Sequence, residues 1–131
     1  MSPGSGSQRV RTAEAGYAFV LDGHVRQRFD EPIEQVLDVA ELDLILVRTQ
    51  LVGRQRTPQN LWAFHQDGRP RWRAPRAGIL GGRERYEEVA VWSASRLVAR
   101  MQNVGIVVLD VETGTIVAIP SWWSVVRLGL S

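Results

Sequence analysis

The stretch Leu61-Trp62-Ala63-Phe64-His65-Gln66-Asp67-Gly68-Arg69-Pro70-Arg71-Trp72-Arg73 decides the fold. Two short runs rich in apolar or alternating residues flank Asp67-Gly68, and glycine supplies the positive φ that a tight hairpin turn demands. In the second run Arg69, Arg71 and Arg73 fall on one face and Pro70 and Trp72 on the other. The unit recurs on either side. Tyr17-Ala18-Phe19-Val20-Leu21 leads through Asp22-Gly23 to His24-Val25-Arg26-Gln27-Arg28-Phe29, again with basic residues (His24, Arg26, Arg28) alternating. Ile106-Val107-Val108-Leu109-Asp110 leads through Val111-Glu112-Thr113-Gly114 to Thr115-Ile116-Val117-Ala118-Ile119, where both faces are apolar, as in a central or covered strand. The turn glycines 23, 68 and 114 lie 45 and 46 residues apart, and the units end near Pro32, Pro75 and Pro120. A period of this length marks stacked β units.

The segments between hairpins also match. Leu44-Ile45-Leu46-Val47-Arg48-Thr49-Gln50 precedes Arg96-Leu97-Val98-Ala99-Arg100-Met101-Gln102 by 52 residues, and each follows an apolar stretch, 36–39 or 89–92. Each pair reads as two strands joined by a tight turn. Within residues 33–42, Ile33, Val36, Leu37 and Ala40 also fit a helical face. The β-branched second copy favours strands. Residues 1–15 are expected to form a flexible tail before one domain spanning 16–131. Residues 51–60 and 76–86 read as long loops, and Gly78-Ile79-Leu80-Gly81-Gly82-Arg83 as a connector rather than a phosphate loop. Residues 121–128 are expected to add a last strand that pairs with the first hairpin and covers its edge.

The 131 residues suit one domain, and no apolar run reaches the roughly 18 residues of a membrane span. The chain has no Cys, so disulfide and thiol chemistry are excluded. A cytoplasmic location is the simplest expectation. All 16 basic residues are Arg, which a GC-rich coding sequence explains more readily than a need for bidentate contacts. Their placement is uneven. Residues 14–53 hold eight acids and three Arg, whereas residues 54–85 hold eight Arg and two acids. Opposed charged faces would give the molecule a dipole able to steer a charged partner.

The run from Asn60 to Arg73 resembles the blade hairpin of quinoprotein-like (PQQ-type) β-propellers, and Val108–Val117 resembles their Leu-Asp-x-x-Thr-Gly turn. The span from Tyr17 to Pro120 is also similar to small stand-alone bacterial proteins of uncharacterised function built from about two such units. The resemblance implies an all-β, mainly antiparallel fold of propeller-blade-like meander repeats, with a small closed β-barrel or β-trefoil-like arrangement as the alternative. A propeller closes with four or more blades. This chain is too short for that, so it must stay open, close otherwise, or oligomerise. The motifs encode turns and strands, and no quinone site carries over.

No catalytic, cofactor or metal constellation emerges. His24 and His65 sit on opposite sides of their turns and read as solvent-facing, and zinc needs three or four converging ligands. Asp22, Asp67 and Glu112 are turn residues. The leading candidate surface is the basic one, Arg54, Arg56, Arg69, Arg71, Arg73, Arg76, Arg83 and Arg85, with Trp122 and Trp123 as candidate interface anchors. The reading this supports is a non-enzymatic protein-binding or accessory module, an immunity-type inhibitor or an assembly subunit, with a protein partner of acidic character or a second copy. A nucleic-acid binder is the alternative, using phosphate contacts and stacking on Trp62 and Trp72. A small enzyme with a cleft between hairpins is the third.

Overall fold

A computed structural model describes residues 9–50, 59–75, 85–102 and 104–119. Among the described residues eleven strands form three antiparallel sheets, each a meander of strands consecutive in sequence. The first sheet contains β1 (Val10–Ala13), β2 (Ala18–Leu21) and β3 (His24–Arg28). The second contains β4 (Ile33–Val39), β5 (Leu44–Thr49), β6 (Leu61–Phe64) and β7 (Pro70–Arg73). The third contains β8 (Tyr86–Val91), β9 (Arg96–Met101), β10 (Gly105–Asp110) and β11 (Ile116–Ala118). No α-helix occurs among the described residues, and a single 3-10 turn, Ala40–Leu42, joins β4 to β5. The sheets are separate, so the closed-barrel alternative is corrected.

All three hairpins expected from the glycine turns form, as β2–β3, β6–β7 and β10–β11. Asp22 and Gly23 both adopt positive φ (51° and 82°), the backbone of a type I′ turn whose twist matches that of the flanking strands. At the third turn the Asp110 carboxylate accepts the Glu112 and Thr113 amides, fixing the chain ahead of Gly114.

Each hairpin also carries a register shift at the equivalent place, between Phe19 and Val20, Ala63 and Phe64, and Val108 and Leu109. The unpaired residues are Arg26, Arg71 and Val117. A bulge bends its strand and re-aims side chains. Strict alternation therefore fails just past each turn, and the ladder expected of Arg69, Arg71 and Arg73 does not form.

The second sheet lies between the other two. Residues 44–49 of β5 are all buried. Ile45 and Val47 pack with Phe19, Leu21, Phe29 and Phe64 against the first sheet. Leu44 and Leu46 pack with Leu97, Ala99, Val107 and Leu109 against the third. Adjacent residues serve opposite faces, as a strand requires. In β4, Val36 joins the first cluster and Leu37 the second, which explains the helix-like spacing: a sheet apolar on both faces imitates it. The doubly covered strand is thus β5. β11 instead ends its sheet, with Val117 exposed, which corrects the central position expected for it, while the alternative of cover by the C-terminal segment lies outside the described residues.

The tail expectation is corrected for Val10–Ala13, which pair with β2, while residues 1–8 lie outside the described residues. Residues 121–131, and with them the expected last strand, also lie outside them. No helix among the described residues is long and apolar enough to cross a membrane.

Candidate functional site

Of the four described arginines of the basic stretch, Arg71 and Arg85 have buried side chains and Arg69 and Arg73 are exposed. Re-aimed by its bulge, Arg71 has a side chain only 8% exposed. Its Nη1 donates to the carbonyls of Leu42 and Asp43 at 2.9 Å, and its Nη2 lies 3.1 Å from Glu112. Arg71 thus ties β7 to the turn of the third sheet. Arg85 is 4% exposed and lies 3.6 Å from the equally buried Glu31. Arg73 sits over the Trp62 ring, 4.7 Å from its centroid, and its Nε donates to the Gln59 carbonyl. Arg69 remains at the surface, paired with Asp67. The candidate surface is therefore corrected at Arg71 and Arg85, whose burial fits them to bracing rather than contact. Arg54, Arg56, Arg76, Arg83, Trp122 and Trp123 lie outside the described residues.

The turn glycines carry a second duty that their spacing did not reveal. A Cβ on Gly114 would lie 2.3 Å from Trp72 Cε3, and one on Gly68 would lie 2.7 Å from Arg26 Nε. So a side chain from one sheet seats on the turn of the next. Trp72 Nε1 adds a hydrogen bond to the Val111 carbonyl at 2.8 Å. At the same end, Asp43 adopts φ 51° and accepts from the Gln66 amide while its other oxygen lies 2.8 Å from His65 Nδ1. These two contacts, the Gln66 amide first, hold the Asp43 carboxyl below the usual carboxylate range. His65 is thus an anchored histidine rather than a solvent-facing one. Among the described residues no three His, Asp or Glu side chains converge as metal ligands would.

The opposite end is polar and buried, and sequence reading missed it. Asn60 is fully buried. Its Nδ2 donates to the carbonyls of Thr49 and Tyr86, and its Oδ1 accepts the Tyr86 amide. One amide side chain thereby links the second sheet to the third. Burial pushes the Tyr86 hydroxyl up, and that hydroxyl donates to the Pro75 carbonyl.

Residues 14–119 match the family described as Domain of unknown function (DUF7957). The chain belongs to this family. Its matched span runs from the turn before β2 to the residue after β11, so the DUF7957 unit includes all three hairpins. No curated protein and no solved structure matches the chain.

Among the described residues, the exposed large apolar side chains are concentrated on the third sheet. Of the six large hydrophobic residues exposed among the described residues, four are there: Val91 and Trp92 at the β8 edge, Val117 and Ile119 at the β11 edge. Between these edges, on the side of the sheet away from the second, lies a hollow of about 290 Å³. Ala90, Val98 and Ile106 line it, with Glu88 and Arg100 at one end. The two charged residues are themselves 3.4 Å apart.

Proposed function

We propose that this DUF7957 chain is a non-enzymatic protein-binding or accessory module whose contact surface is the far side of the third sheet. The observation that carries the reading is the apolar hollow lined by Ala90, Val98 and Ile106, in a sheet whose two edges carry the exposed Val91, Trp92, Val117 and Ile119. Exposed apolar residues gathered at the edges of one sheet around an apolar hollow are a mark of a protein contact, and an exposed tryptophan is a strong anchor. The partner is a protein that inserts an apolar side chain between Ala90, Val98 and Ile106. The burial of Arg71 and Arg85 moves the proposed surface away from the basic stretch, and it weighs against a nucleic-acid reading, which needs accessible cations along a phosphate track. The three consecutive meanders support reading each sheet as one blade-like unit of the quinoprotein-like type.

Site-specific photo-crosslinking in the native cell tests the reading. A crosslinker placed at Ala90 should give a discrete adduct with another protein. The adduct should vanish with Ile106→Glu, whose fold is checked by circular dichroism, and a crosslinker at Arg69 should not give it. No adduct from Ala90, or the same adduct from both positions, would overturn the assignment.

A further inference from the structure

A second cavity, separate from the third-sheet face, lies between the first and second sheets at the polar end of the molecule. Its volume is about 200 Å³, room for on the order of six waters. One wall is a stack in which Phe29 lies 4.6 Å from Trp62, ring centroid to centroid, with Arg73 beside the same tryptophan. The remaining lining is polar: Gln27, Arg28, Asp30, Glu31 and Thr49.

Thr49 is the residue that calls for an explanation. It is 0% exposed, and its hydroxyl has no hydrogen-bond partner. Its own backbone groups are engaged elsewhere: the Thr49 amide donates to the Asn60 carbonyl, and the Thr49 carbonyl accepts from the Asn60 side-chain amide. A buried hydroxyl without a partner is costly and uncommon in a folded protein. A ligand atom entering the cavity would complete it.

The lining also indicates the kind of ligand. The lining holds two carboxylate residues, Asp30 and Glu31, beside two guanidinium residues, Arg28 and Arg73, and Glu31 is already paired with the buried Arg85, so the site favours neither an anion nor a cation. Arg28 is moreover held by both Glu14 oxygens at 2.8 Å. A hydroxyl group both donates and accepts, and so matches a lining of mixed donors and acceptors. We propose that this cavity binds a small uncharged polyhydroxylated molecule, a monosaccharide or polyol, with one of its hydroxyls bonded to Thr49 Oγ1.

The test is two-dimensional amide NMR of the full chain titrated with D-glucose, D-galactose, D-ribose, myo-inositol and glycerol, and with acetate and guanidinium as charged controls. At least one polyol should shift the amides of Gln27, Asp30 and Thr49 in a saturable way and leave the third sheet unmoved. Thr49→Val should weaken that binding about tenfold, as loss of one hydrogen bond does, without lowering Tm. Asp30→Asn, at an exposed position, is the second variant and should also weaken binding. The proposal is overturned if no polyol shifts these amides, if a charged control binds more tightly than every polyol, or if both variants bind as the wild type does.

Discussion

Replacing Gly114 with alanine separates the two duties assigned to the turn glycines. The residue has φ +73°, so any L side chain there is strained by about 1–2 kcal/mol. The new methyl would also lie 2.3 Å from Trp72 Cε3. That ring cannot retreat without losing its hydrogen bond to Val111, worth about 0.5–1.5 kcal/mol, and disturbing a packed contact at about 1–3 kcal/mol. Gly114→Ala should therefore destabilise by about 4 kcal/mol. Gly23 is the internal control. Its φ is +82°, but a Cβ there meets nothing within 4 Å. Gly23→Ala should cost only the strain, about 1–2 kcal/mol. Urea denaturation of both variants measures the difference, with the m-value confirming two-state behaviour. In a Trp72→Leu background the Gly114→Ala cost should fall to that of Gly23→Ala, a coupling of about 2–3 kcal/mol. Equal costs at the two glycines, or no coupling to Trp72, would refute the claim that one sheet seats on the turn of the next.

Other consequences can be measured in the same way. Arg71→Leu should cost about 2 kcal/mol or more, because it strips donors from two carbonyls and leaves Glu112 alone, whereas Arg69→Leu at the surface should stay within about 0.5 kcal/mol. Because folding depresses the Asp43 carboxyl, its contribution is present above the unfolded value of about 3.9 and is lost as pH falls through the lower folded value. Stability profiles recorded below about pH 4 should hence be flatter for Asp43→Asn, and parallel profiles would remove Asp43 as a cause. Thr49→Val, studied without added ligand, should be neutral or stabilising by up to about 1 kcal/mol, since it removes a hydroxyl that has no partner; a clear loss of stability would show that the hydroxyl is already bonded.

The parts of this fold that a sequence can announce are those fixed by local geometry. Asp22-Gly23, Asp67-Gly68 and the Gly114 turn could be read directly, because a positive φ restricts residue choice wherever it occurs. The bulges could not. One unpaired residue past each turn leaves composition unchanged yet reverses which side Arg71 faces, and face assignment by alternation fails there. β1 was hidden for a different reason. Arg9-Val10-Arg11-Thr12-Ala13 holds only one large apolar residue, and pairing with β2 rather than its own pattern makes it a strand. Asn60, Glu31 and Thr49 carry no local signature either, because their partners come from other strands and connectors. The third-sheet surface lies between these cases. Val91-Trp92 and Val117–Ile119 were visible as apolar residues, but only the order of the sheets shows that they border an end face.

In this fold the second sheet is interior, and in the proposed reading the far side of the third sheet is open to a partner. Isoleucine-methyl NMR with a soluble paramagnetic agent tests this directly. Ile45, buried in β5, should show almost no attenuation, whereas Ile119 should be strongly attenuated and Ile106 in the hollow clearly affected. A protected Ile106 in the isolated chain, or an attenuated Ile45, would contradict the account.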